Sequence, residues 1–157
     1  MSKSTQTIAL ACTRPAATGR RKRRRGSAVI EASLALPVLL YFSMGMVEFG
    51  QYFYAKHTVD AAARDGCRQA ILSTATTAAA TTAVANTMLA AGFASSGYSL
   101  TFTNTAGSTT YSDLSTVAAG TAIKATVTVN YGSVGVRPLG VIPANKQVIG
   151  ITTMVKE

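Results

Sequence analysis

The chain has no tryptophan, one histidine, two cysteines, four prolines and only six acidic residues in 157. With His57 as the sole imidazole, no Cys/His metal cluster can be assembled and no Ser/His/Asp set is plausible. No Gly-rich phosphate loop follows a strand pattern. His57 sits beside an aromatic group and reads as a solvated or interfacial residue. Cys12 falls in the amino-terminal leader, and Cys67 is then the only cysteine of the remainder. That excludes an intramolecular disulfide there and leaves Cys67 as a small apolar residue, or an intersubunit bridge. These absences point away from an enzyme, and no metal or cofactor is expected.

Acid is scarcest where base is densest. Residues 1–25 carry Lys3, Arg14, Arg20, Arg21, Lys22, Arg23, Arg24 and Arg25 with no acidic partner, which accounts for almost all of the formal +9. From Gly26 onward Lys56, Arg64, Arg68, Lys124, Arg137, Lys146 and Lys156 nearly balance the six acids. The high pI therefore belongs to a short leader. Nucleic-acid binding calls for charge spread over a folded face, or a basic arm beside a reading module. Here the charge abuts an apolar run, and no nucleic-acid partner is expected.

That run, Ser27–Val47, has Glu31 as its only charge. As a helix it is about 31 Å long, close to the roughly 30 Å hydrocarbon core of a bilayer. Basic residues stay on the cytoplasmic side, and Phe49, Tyr52, Phe53 and Tyr54 suit the opposite interface. The expectation is a single-pass inner-membrane protein, amino terminus inside and the carboxy-terminal part extracytoplasmic. A secretory signal would need a small-x-small cleavage site after the run, and Glu48-Phe49-Gly50-Gln51 offers none. Ile8-Ala9-Leu10-Ala11-Cys12 is too short to be a lipoprotein signal.

A different processing geometry fits. Gly26 follows the basic run Arg20–Arg25, Ser27 comes next, and Glu31 stands five positions after the glycine. This G-x-x-x-x-E pattern resembles the class III leader of type IV pilins, cut by an aspartyl prepilin peptidase on the cytoplasmic face. A carboxylate inside a span is costly, about 2.5–3.5 kcal/mol at the centre and less near an edge, and is a functional candidate by default. Cutting after Gly26 would free the Ser27 α-amino group, with a typical pKa of about 7.7–8.0. Positions 27 and 31 share a helix face, so Glu31 can neutralise that amine or the amine of a neighbouring subunit. The competing reading is an interfacial Glu with no role.

Beyond the span the helix is expected to continue to about residue 72. Val59, Ala62, Ala63, Gly66, Cys67, Ala70 and Ile71 recur with the spacing of one helical face, while Lys56, Asp60, Arg64 and Arg68 lie opposite. Asp60 precedes Arg64 in the favourable orientation for an ion pair. The small residues of the stripe allow close backbone approach, to the chain's own sheet or to another subunit.

Arg25-Gly26-Ser27-Ala28-Val29-Ile30-Glu31, Ala35-Leu36-Pro37-Val38-Leu39-Leu40, Val47-Glu48-Phe49-Gly50, Tyr54-Ala55 and Ala61-Ala62-Ala63-Arg64-Asp65-Gly66-Cys67-Arg68 resemble the TadE-like family, minor pseudopilins of the tight-adherence (Flp/Tad) pilus. The resemblance covers about residues 24–71. It implies a leader removed by a prepilin peptidase, and partnership with other pilin or pseudopilin subunits and the Tad assembly machinery. It also implies a subunit-packing helix that includes Glu48, Phe49, Ala62, Ala63 and Gly66. Ala32 stands where Flp-type sites favour an aromatic. The alternative is an uncleaved, permanently anchored envelope protein that scaffolds a pilus or secretion apparatus.

The rest is read as one α+β unit over residues 73–157. A second helix is expected within Ser73–Ala91, with Val84, Met88 and Leu89 on one face and Gly92 as its stop. Three strands follow: Tyr98, Leu100 and Phe102 alternating with Ser and Thr; Ile123, Ala125, Val127, Val129 and Tyr131 as the clearest period-2 run; and Val148–Val155 with Ile149 and Ile151 on one face. Residues 104–120 and 132–143 read as loops. The expected fold class is α+β, a long helix and a second helix packed on a small antiparallel sheet, pilin-like in general shape.

Overall fold

A long helix opens the described part of the chain, because residues 28–70 are dense in Ala, Leu, Met and other strong helix formers. The computed structural model describes residues 25–93 and 97–157. Its elements are α1 (Arg25–Ala70), α2 (Thr77–Ala90), β1 (Tyr98–Asn104), β2 (Ala122–Asn130), the one-turn helix α3 (Tyr131–Val134) and β3 (Gln147–Val155). A 3-10 turn, Leu114–Thr116, precedes β2. The chain divides between Ala35 and Leu36 into two units, and α2 and the sheet belong to the second. The fold class is α+β, as expected.

At 46 residues, α1 is about 69 Å long. Pro37 lies inside it and removes one main-chain donor, a defect that helices in apolar surroundings tolerate through local adjustment. Ser33 and Ser43 turn their hydroxyls back to donate to Ile30 O and Leu39 O, each at 2.8 Å. No polar hydrogen of those two side chains is then left facing an apolar medium.

α2 has a clear start and stop. The Thr76 side chain accepts from Ala79 N at 3.2 Å, which satisfies one of the free donors of the first turn. At the other end Phe93 N donates to Met88 O and Gly92 N to Leu89 O, a Schellman closure that requires the left-handed Gly92 at φ +78. Val84 and Met88 are buried as expected, but Leu89 is 53% exposed. One residue past Met88 turns it off the packed face.

The sheet has order β1-β2-β3, antiparallel throughout. On β2, Ile123, Ala125, Val127 and Val129 are buried while the residues between them are half-buried, so the period-2 run is the floor of the core. Each such Val or Ile contributes roughly 1.5–3 kcal/mol. Ala55, Val59, Ala62 and Ala63 of α1 pack with Val84, Met88, Val127, Val129, Tyr131 and Val148. Cys67 and Ala70 pack with Ala80, Phe102, Leu114, Ile123 and Ala125. Tyr131 ends the alternation but begins α3, not a strand residue.

Ile149 and Ile151 share a face, but it is the outer one, 39% and 57% exposed. The cause is register. Val148 pairs with Val129 and Gly150 with Val127, which places 148 and 150 inward. Gly150 must be the inward residue because α1 lies against it: a Cβ there would stand 2.5 Å from Val59 O. The expected Asp60–Arg64 pairing is also corrected. Asp60 pairs instead with Lys56 at 2.9 Å, and the Lys56 ammonium also donates to Ile149 O, which holds it on the Asp60 side.

Gly66 meets α2 in the same way, its notional Cβ 2.5 Å from Val84 Cγ2. Gly66→Ala and Gly150→Ala should each destabilise the full chain in detergent by about 1–3 kcal/mol, read by denaturation followed with far-UV circular dichroism. A double-mutant cycle separates them. Val84→Ala should couple favourably to Gly66→Ala, because a side chain is in the way. Val59→Ala should not rescue Gly150→Ala, because there the obstacle is a backbone carbonyl.

Candidate functional site: the amino-terminal helix and the Glu48 carboxylate

Among the predicted site residues, Arg20, Arg21, Lys22, Arg23 and Arg24 lie outside the described residues. Arg25, Gly26 and Ser27 form the first turn of α1, described by backbone alone. Ser27 and Glu31 are one helical turn apart on α1, and Glu31 is exposed. From Val29 to Val47 the helix exposes its large apolar side chains on every side, with Leu34, Val38 and Phe42 each at 70%. A helix that is apolar all round needs an apolar surrounding, and α1 is long and apolar enough to cross a membrane.

Glu48, the next residue, changes the environment. It is fully buried. Its two carboxylate oxygens accept from Ile142 N at 2.6 Å and Leu139 N at 3.2 Å, and its own carbonyl accepts from Tyr131 Oη at 3.0 Å. The Ile142 amide, helped by its loop neighbours, holds the Glu48 carboxyl below the ordinary 4.5 against the opposing effect of burial. Burial first, then the nearby Glu48 charge, pushes the Tyr131 phenol up from its ordinary value. Gly140, at φ +66, lets the 139–142 turn wrap the carboxylate.

The remaining predicted helix residues divide sharply. Phe49 is 50% exposed. Ala62 and Ala63 are buried within the chain's own core, and Gly66 faces Val84 of α2. The aromatic group divides too: Tyr52 stacks edge-on against Tyr131 and Tyr54 against Phe93, while Phe53 is exposed. His57 is exposed. Burial pushes the Cys67 thiol up, so it stays protonated, and it donates to Ile123 O. Tyr131, Leu139 and Ile142 were not singled out from sequence as partners of Glu48. The only local signals were Tyr131 continuing the β2 alternation and the Pro138/Gly140 punctuation of the loop.

Because the Glu48 pKa is lowered on folding, its contribution is complete above pH 4.5 and is lost as pH falls through the lowered value. Protection of the Leu139 and Ile142 amides, taken relative to their intrinsic exchange rate at each pH, should accordingly stay high at neutral pH and fall on acidification through that range. Glu48→Gln presents one acceptor oxygen where two are used. It should expose at least one of the two amides at neutral pH and flatten the acid dependence. Unchanged protection of both amides would show that the carboxylate does not hold the loop.

Residues 26–68 match the family model described as TadE-like protein. The match begins in the first turn of α1, ends two residues before that helix does, and covers under a third of the chain. It bears out the resemblance read from the motifs and associates the chain with the Tad pilus system. No curated protein and no solved structure matches the chain.

Proposed function

Taking the TadE-like segment as premise, we propose that this chain is a minor pseudopilin, or pilus assembly protein, of the Tad (Flp) type IVb pilus. A prepilin peptidase cuts it after Gly26. The observation that carries this reading is the coincidence, at one point of the chain, of three features: a basic leader, the Gly26–Ser27–Glu31 pattern, and a helix that exposes apolar side chains on every side up to Val47.

In this reading the leader stays in the cytoplasm, α1 crosses the inner membrane, and the part beyond Glu48 lies on the extracytoplasmic side. Removal of the leader leaves the Ser27 amine beside Glu31, a complementary pair on one face of the helix. The exposed apolar half of α1 then passes from lipid to the helices of other pilin subunits, an exchange between two apolar surroundings. The chain acts as a structural subunit in assembly, adhesion or secretion.

The test is the mass and amino-terminal sequence of the protein recovered from envelopes, with and without the prepilin peptidase. A mature chain beginning at Ser27, absent without the peptidase and in Gly26→Ala, is expected. Glu31→Ala should lower incorporation into pili even where cleavage persists. A chain beginning near Met1 under every condition would instead identify a permanently anchored single-pass protein.

A further inference from the structure

We propose that the loop 136–141 is a second membrane-contacting element, seated in the phospholipid interface beside the end of the α1 span. The inference rests on the transmembrane reading of α1 and goes beyond it, since it assigns a lipid-facing role to a segment almost ninety residues further along the chain.

The loop reads Val136-Arg137-Pro138-Leu139-Gly140-Val141, with no acid and one base. Val136 and Val141, at the two ends of the loop, are 62% and 54% exposed. Its position is set by Glu48, which takes both the Leu139 and Ile142 amides. The tip is therefore level with Glu48, one residue past Val47, where the apolar run stops. Headgroup layers extend the roughly 30 Å hydrocarbon core to about 40–45 Å, several ångströms on each side. A tip tied to residue 48 falls within that layer.

Continuity with the span identifies lipid as the occupant. Leu139 and Val141 form one wall of an open apolar groove of about 740 Å³, and α1 forms the other from Phe53 down to Val38. Val38 lies about 15 Å along the helix from Glu48, well inside the span. Gly45 and Gly50 leave the floor open, with nothing within 4 Å of a notional Cβ. Whatever surrounds Val38, Phe42 and Met46 therefore also fills the space under Leu139 and Val141. In a bilayer that is an acyl chain.

Two further features make the loop tolerable there. Unsatisfied backbone amides are expensive at membrane depth, and Glu48 has already bound two of them. Arg137, exposed and without an acidic neighbour in the loop, can extend to a lipid phosphate while its stem stays in the apolar layer.

The absence of tryptophan from the natural chain makes a direct measurement possible. Val141→Trp, Leu40→Trp and Thr126→Trp each introduce a sole tryptophan, in the loop, the span and the outer sheet face. Each full-length protein is reconstituted in phosphatidylcholine vesicles brominated at a shallow or a deep acyl position. Val141→Trp should emit blue-shifted and be quenched more by shallow than by deep bromines. Leu40→Trp should show the reverse order, and Thr126→Trp should be quenched by neither. Val136→Trp reads the same loop should Val141→Trp fail to fold.

Quenching of Leu40→Trp without quenching of the loop tryptophan would overturn the proposal while leaving the span intact. A loop tryptophan that is blue-shifted yet unquenched would also overturn it, because a second protein helix would then cover the groove. An unquenched Leu40→Trp would remove the span reading, and this proposal with it.

Discussion

The fold beyond the apolar run depends on how closely one helix can approach a sheet. The packed face of α1 is built from Ala55, Val59, Ala62, Ala63, Cys67 and Ala70, with Gly66 turned to α2. Gly150 takes the Val59 carbonyl where any side chain would collide. Interiors are packed densely enough that one added carbon is felt, so this contact fixes the position of α1 along β3. Lys56 reinforces it from the rim by bridging Asp60 and the Ile149 carbonyl. With α1 and β3 placed, pairing of β3 to β2 and β2 to β1 leaves little freedom, and α2 closes the core through Val84 against Gly66.

Glu48 marks the point where that helix changes its surroundings. A buried carboxylate is normally costly. Here the cost is offset because two loop amides need an acceptor where no water is guaranteed, and each group satisfies the other. The arrangement sets a boundary: on one side α1 exposes apolar side chains all round, on the other it is one wall of a packed domain. Tyr131 secures the same turn through the Glu48 carbonyl and its edge-on contact with Tyr52, so the helix leaves the apolar run already gripped from two sides.

Much of this was legible in sequence because it is periodic. The alternation from Ile123 to Val129, the small stripe from Val59 to Ala70 and the Gly92 stop each have a local cause and stand where their patterns put them. What escaped is what periodicity cannot carry. The Glu48 amide donors lie 91 and 94 residues away, and a glutamate at the end of an apolar run gives no hint of them. Ile149 and Ile151 look like core residues until Gly150 claims the inner face. Lys156, a terminal lysine, is buried because Leu114 O accepts from its ammonium at 2.6 Å, a contact that exists only once the 3-10 turn is in place.

The charge distribution gains its meaning from this division of α1. In the proposed precursor the six cations Arg20–Arg25 directly precede the span in sequence, and drawing even one to the bilayer centre would cost about 2.5–3.5 kcal/mol. In the proposed topology these charges would hold the helix with its amino terminus on the cytoplasmic side. On the proposed cleavage the inner end would carry only the Ser27 amine and Glu31, of opposite sign and one turn apart. A span so neutralised can leave the lipid at little electrostatic cost, provided that another apolar surface receives it. In the proposed pathway the same cut would release an anchor and expose a terminus fit to pack among other helices, which joins the leader's charge and Glu31 in one mechanism.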